Sequence, residues 1–441
     1  MPQPIDTLIL PRWLVPVEPA GTLADHALAV HRGAILDMLP AAEACTRYSA
    51  QEIISLPNHA LIPGLVNLHT HAAMALLRGF ADDLPLMDWL QHFIWPAEQA
   101  HVSGRFVKDG SLLACAEMLK GGITCFNDMY FFPDATAEAS LESGMRASIG
   151  MIAMDLPTPY ASDGSDYLAK GLACRDRFKG EPGLSFCFAP HAPYTVGDET
   201  FSQIATLAEQ IGAPIHCHLH ETRDELAQSE ARHDVRPLER LARLGLLGPG
   251  FIGVHAIHLT EPEIGTLVRY GCHVAHCPAS NLKLASGLAP IGKLLEAGIN
   301  IGLGTDGAAS NNRLDLFAEM RLAALLTKGV SNNAAALPAF DALKAATLNG
   351  AQALGLDDRI GSLTPGKRAD MVAVDLSRPE LQPLFDPVSH LVYVAGREDV
   401  SHVWVDGQLK VDNGKLIHFD LADLMARASY WSNKLLAPNI K

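Results

Sequence analysis

His69 and His71 flank a single threonine. In an extended strand residues two apart face the same side, so this spacing aims two imidazoles at one point. Two convergent imidazoles are half of a zinc site, although a lone His-x-His fits a pair of structural histidines as well. Further stretches add to it: His191, then His216, His218 and His220 with Glu221 next, His255 with His258, His273 with His276, and Thr305-Asp306. A third imidazole from His218 and a carboxylate from Asp306 would complete a four-residue set. Such a set leaves a position for water, the open form that catalytic metals need. Asp306 follows the apolar run Ile301-Gly302-Leu303-Gly304-Thr305, where an unpaired charge is costly. Its plainer alternative is an N-cap for the next helix.

These residues recur at one kind of place. Between residues 59 and 362, short apolar runs at 60–68, 123–127, 147–154, 184–189, 214–219, 251–255, 273–275 and 300–304 each precede a polar cluster and a helical stretch. Segment 199–210, with Phe201, Ile204, Leu207 and Ala208, has helical periodicity, as does 262–270. Eight strands alternating with helices predict a (β/α)₈ barrel of TIM type. In that architecture chemistry gathers at the C-terminal strand ends, where these histidines and Asp306 fall. Residues 1–58 and 363–441 read differently, as strands such as 7–10, 27–30, 370–375 and 401–407 with turn signals between them. Both chain ends are therefore expected to build one small β-sandwich domain around the inserted barrel, entered through the loop 361–366.

Composition narrows the partners. The 441 residues are 48% hydrophobic and 19% charged, a globular balance, and the net charge of −15 with no basic stripe argues against a nucleic-acid partner. No apolar run approaches the ~20 residues of a membrane helix, and the start shows no secretory signal pattern. Eight scattered cysteines without a C-x-x-C spacing predict reduced thiols and a cytoplasmic setting.

Several motifs in order are more specific than any one. His69-Thr70-His71, Pro190-His191-Ala192-Pro193-Tyr194, His218-Leu219-His220-Glu221-Thr222, the run His276-Cys277-Pro278-Ala279-Ser280-Asn281 with its continuation to Gly287, and Gly304-Thr305-Asp306-Gly307 resemble the amidohydrolase superfamily. The likeness is to its branch of methylthioadenosine/S-adenosylhomocysteine deaminases, with the triazine chlorohydrolases related to it. It implies one metal held by His69, His71, His218 and Asp306, zinc being expected, with iron or manganese able to occupy such N/O sites. It implies Glu221 as proton shuttle, His255 as a partner of the reacting water, and His191 and Glu98 as nucleoside contacts. It also implies a homo-oligomer.

The mechanism expected is addition of an activated water at purine C6, with Asp306 taking its proton, Glu221 protonating ring N1, and ammonia leaving. Glu98 suits two neighbouring ribose hydroxyls, since a carboxylate accepts both, although a surface helix acid is its alternative. The leading substrate is 5′-methylthioadenosine, with adenosine or S-adenosylhomocysteine further candidates. The homocysteine carboxylate would need a cation, and Arg146 is the candidate, standing before the third strand. Guanine deamination, triazine dechlorination and a non-catalytic metal-binding homologue are the rival readings. Arg78, Asp82, Asp83, Trp89 and Trp95 fall in a segment expected to form a lid, in which the tryptophans contact substrate or form its packing core. His216, His220, His258 and His273 are read as structural, and His276 stays open, with a supporting contact to a ligand as one option.

Overall fold

In the computed structural model, which describes residues 1–436, eight parallel strands run in sequence order around a barrel. They are Leu65–Thr70, Ile123–Asp128, Arg146–Ala153, Leu184–Pro190, Ile215–Leu219, Phe251–His255, His273–His276 and Asn300–Leu303. Most are buried on both faces, as the third is throughout, which is why they read as continuous apolar runs instead of alternating ones. The helices between them pack on the outside by one stripe. Asp198–Ile211 buries Phe201, Ile204 and Ala208 and ends at Gly212, whose φ of 64° is the left-handed conformation that stops a helix. Glu261–Tyr270 is secured at its start by Glu263, whose carboxylate accepts the Thr260 N–H at 2.8 Å.

Neighbouring strands pair from the first to the eighth, and the ring is nearly closed. At the seam between eighth and first, individual groups do the joining. The Asn67 amide donates to Thr305 Oγ1 at 2.8 Å and accepts from Thr305 N at 2.9 Å. The Asp306 N–H donates to the His69 carbonyl at 3.0 Å, and Thr70 Oγ1 donates to the Asp306 carbonyl at 3.0 Å.

Both chain ends contribute to one nine-stranded mixed sheet. The run 60–68 is divided: 60–63 ends the long strand Tyr48–Pro63 of this sheet, and the barrel begins only at Leu65. Gly64 marks the break, because a Cβ there would lie 2.0 Å from Thr124 Oγ1. The sheet curls until its wings touch. Backbone bonds join Ile35 to Lys367 and Ala369 to Gly33, and Leu28, Val30 and Ile35 share a core with Met371, Ala373 and Trp404. This gives the two-layered packing expected of a sandwich from one continuous sheet. Residues 437–441 of the expected 363–441 segment lie outside the described residues. None of the described helices is long and apolar enough to cross a membrane.

The two units are pinned by a buried ion pair. Arg146 Nε donates to Asp370 Oδ2 at 3.0 Å and a terminal nitrogen to Oδ1 at 3.2 Å, with side-chain exposures of 4% and 1%. Arg146 opens the third barrel strand, at the end away from the C-terminal mouth, so it does not serve a ligand in the pocket. Replacing it by alanine would leave Asp370 buried and uncompensated. Arg146→Ala should lower unfolding free energy by about 3 kcal/mol, read as a fall in the urea midpoint, while substrate preference stays unchanged.

Candidate metal centre and pocket

Four side chains from the first, fifth and eighth strand ends converge. His69 Nε2 lies 3.3 Å from His218 Nε2 and 3.3 Å from Asp306 Oδ1, and His71 Nε2 lies 3.3 Å from the same carboxylate oxygen. His255 joins them from the sixth strand, with His69, His218 and His255 forming a second group of close potential ligand atoms. Its ring stacks on that of His218, with centroids 5.5 Å apart.

What aims these nitrogens is the contact each ring makes through its other one. His71 Nδ1 donates to the Met129 carbonyl at 2.5 Å, and His218 Nδ1 to the His191 carbonyl at 2.7 Å. A carbonyl only accepts, so each Nδ1 carries a hydrogen and each Nε2 is the atom turned to the cluster. His69 Nδ1 is 3.0 Å from His216 Nε2, a contact that holds the ring with its Nε2 toward the cluster. His216, read as structural, is a support beneath His69. The signal was present, because His216 and His218 stand two apart in one strand and must share a face, as His69 and His71 do.

Asp306 is fixed at both oxygens. Gly307 N–H donates to Oδ1 at 2.7 Å and Ser280 Oγ to Oδ2 at 2.6 Å. Its φ is 60° and that of His255 is 70°, so both stand where the chain leaves its strand by a left-handed turn that ordinary residues seldom adopt. Gly304 permits the approach of the eighth strand to the first, since a Cβ there would sit 2.9 Å from His69 Cβ.

The charge balance suits a cation. Burial favours neutral rings, bringing His69 down to about 4 and His191 to about 3, with His218 also well below its ordinary value. At His71 burial acts the same way, but hydrogen bonding and charge from Asp306 outweigh it and push the ring up to about 9. Burial would raise the Asp306 carboxyl, yet His69 and His71 hold it well below the usual carboxylate range. Three imidazoles and one carboxylate around a point that attracts positive charge fit the donor set that a divalent ion takes.

This cluster forms the floor of a cavity that Glu98, His191 and Glu221 also line. Glu221, buried, faces it from the loop after the fifth strand. Its Oε2 is 3.8 Å from His255 Nε2, and burial raises its carboxyl above the ordinary value. His191 lines the cavity with Nδ1 held by Thr195 Oγ1 at 3.0 Å. Glu98 is not a surface acid: it is 8% exposed, faces the cavity, and accepts the Tyr130 hydroxyl at 2.7 Å. Burial, only partly opposed by Tyr130 and His71, pushes it up to about 7.

The segment after the first strand covers the mouth. Leu86–Trp89, Leu90–Ile94 and Trp95–His101 bring Leu86, Trp89, Leu90, Ile94 and Trp95 onto the cavity, so both tryptophans face it. Arg78, Asp82 and Asp83 do not line it. Arg78 pairs with Glu117, and Asp82 accepts Lys283 Nζ at 2.6 Å, which ties the segment to the loops beyond the seventh and eighth strands.

The remaining histidines are held elsewhere. His258 Nε2 meets the Ser286 carbonyl at 2.9 Å, His273 Nε2 meets that of Pro249 at 2.9 Å, and His220 Nε2 accepts from Leu238 N at 3.1 Å. His276 Nδ1 is buried with no hydrogen-bond partner among the described residues. Tyr130, Tyr194, Ser280 and Asn281 are site neighbours that sequence reasoning did not assign, since their positions follow from tertiary packing.

Comparison with known proteins accords with this geometry. The profile of the amidohydrolase family matches residues 60–410. A 5-methylthioadenosine/S-adenosylhomocysteine deaminase of Saccharophagus degradans is 49% identical over 98% of both chains. A 5′-deoxyadenosine deaminase of Methanosarcina mazei is 40% identical over 98% of this chain and 99% of its own. Among solved structures, an adenosine deaminase from Xanthomonas campestris with bound zinc superposes with a TM-score of 0.97 at 50% identity, covering 99% of each chain. A match over most of the chain, and relatives this similar from end to end, settle the kinship: the chain belongs to the amidohydrolase family and is a hydrolytic deaminase.

Proposed function

We propose that the chain releases ammonia from C6 of an adenine nucleoside, preferring 5′-methylthioadenosine, and that His69, His71, His218 and Asp306 hold one zinc ion. Bound there, zinc would supply a Lewis acid that brings the pKa of water close to neutrality. Asp306, tethered at Oδ2 by Ser280, accepts the proton of the attacking water and passes it to the C6 amine as the C6–N bond breaks, so that the amine leaves as ammonia. Glu221 delivers a proton to ring N1 as C6 is attacked, and its burial favours the protonated form that this step needs. His255, with Nδ1–H directed to Asn281, turns the lone pair of Nε2 toward the water and Glu221. His191 has Nε2 left for the purine edge, and Glu98 accepts the ribose hydroxyls. The lid excludes bulk water, which strengthens each of these contacts.

One observation carries the substrate reading. The cavity that holds the four-donor cluster also holds Glu98, and the rest of its wall is largely apolar, with Met74, Met129, Phe131, Ile152, Met154 and Leu284. No lysine or arginine is among its lining residues. A thiomethyl group gains from such a wall, whereas a homocysteine carboxylate would be desolvated without a cation. Arg146 cannot provide it, being committed to Asp370. The names of the relatives support the adenine nucleoside class.

Three measurements test this. Ammonia release from 5′-methylthioadenosine, adenosine, S-adenosylhomocysteine and guanine should rank the first highest in kcat/KM, ahead of S-adenosylhomocysteine by about tenfold or more for one unpaired buried charge. A preference for guanine would refute the nucleoside reading. Glu98→Ala should lower kcat/KM for nucleosides by about 100-fold, the worth of two hydrogen bonds to a charged group, without changing metal content. Glu221→Gln should keep the metal and cut kcat by about 10²–10⁴-fold, and normal turnover would remove Glu221 from its role.

A further inference from the structure

The helix Pro278–Lys283 follows the seventh barrel strand and carries two adjacent buried side chains with separate duties. Ser280 reaches Asp306, and Asn281 Oδ1 lies 2.8 Å from His255 Nδ1. The second contact bears on chemistry. A neutral imidazole has one N–H, and an amide oxygen only accepts, so this contact places the hydrogen on Nδ1 and leaves Nε2 with a lone pair. Nε2 is the atom that faces Glu221. His255 also ends its strand in a left-handed conformation, and nothing in regular strand geometry would set its ring. Its tether does.

The other end of the Asn281 amide is idle. Nδ2 is buried without a hydrogen-bond partner among the described residues, so the side chain's one polar contact is through the oxygen. A buried, unpaired donor costs free energy and is retained where the rest of the group has a use. We propose that Asn281 is a positioning residue for the deamination, acting through His255 by fixing its tautomer and ring orientation. This rests on the reading of His255 as a partner of the reacting water.

The idle nitrogen makes the proposal testable, because aspartate keeps the accepting oxygen and gives up no bond, whereas leucine has similar bulk and no acceptor. The experiment compares metal-loaded wild type, Asn281→Leu, Asn281→Asp, His255→Ala and the Asn281→Leu/His255→Ala double variant, with 5′-methylthioadenosine and adenosine as substrates and metal content measured for each. Asn281→Leu should lower kcat about 10- to 100-fold, the usual effect of losing a group that orients a site residue, with KM within about twofold and metal retained. Asn281→Asp should restore kcat to within about fivefold of wild type, since it accepts as the amide oxygen does. His255→Ala should be impaired, and adding Asn281→Leu to it should cost nothing more. Asn281→Ser, too short to reach the ring, replaces the leucine variant if that one does not fold. Loss of activity in Asn281→Asp equal to that in Asn281→Leu, or the same further loss in the His255→Ala background, would overturn the proposal. A fully active His255→Ala would instead overturn the reading of His255 on which it rests.

Discussion

The structure depends on how its barrel closes. Between the eighth strand and the first, Asn67 grips Thr305 through both ends of its amide, and the Asp306 N–H meets the His69 carbonyl. These bonds complete the ring, and they also set the only carboxylate of the four-donor cluster against two of its imidazoles. Asp306 is far from His69 in sequence and would carry a costly buried charge without that company. Closure and site assembly are one event here. The glycine before Thr305 belongs to the same constraint, since any side chain at Gly304 would push against His69.

Around the cluster, order is passed outward by the groups behind each ring. Carbonyls behind His71 and His218, and the His216 ring behind His69, leave three Nε2 atoms facing inward. Asp306 lifts His71 to about 9 and is itself held well below the usual carboxylate range, so the cluster draws positive charge. Burial works the other way at Glu221 and Glu98, raising both carboxyls while Asp306 is held low. The lid segment adds apolar wall and Glu98 but no cation, which is the feature that separates a thioether from an amino-acid tail in the proposed preference.

Much of this was legible in the chain because strand periodicity is short-range. Two residues apart means one face, and so His69-Thr70-His71 could be read at once, as could a recurring strand-then-helix pattern. The same rule applied to His216 and His218 puts both rings on one face, which is where the support beneath His69 comes from. The run 60–68 misled for another reason: apolar residues continue across the junction, and only Gly64, crowded by Thr124, shows that one sheet ends and another begins. Arg146 looked like a candidate cation near the site, yet its partner Asp370 lies at the far end of the sequence, where no local pattern connects them. Ser280 and Asn281 were visible as a motif without a task. Their contacts to Asp306 and His255 arise from how a short helix folds back over the barrel mouth, which sequence spacing cannot express.

In the proposed centre the three imidazoles of His69, His71 and His218 and the carboxylate of Asp306 share one divalent ion. Crystals of the zinc-loaded protein, measured on both sides of the zinc absorption edge, test it most directly. A single anomalous peak bounded by those four side chains, at the distances of about 2.0–2.2 Å usual for nitrogen and oxygen ligands, is the result expected. Two peaks, or one peak ligated by another set of residues, would contradict it.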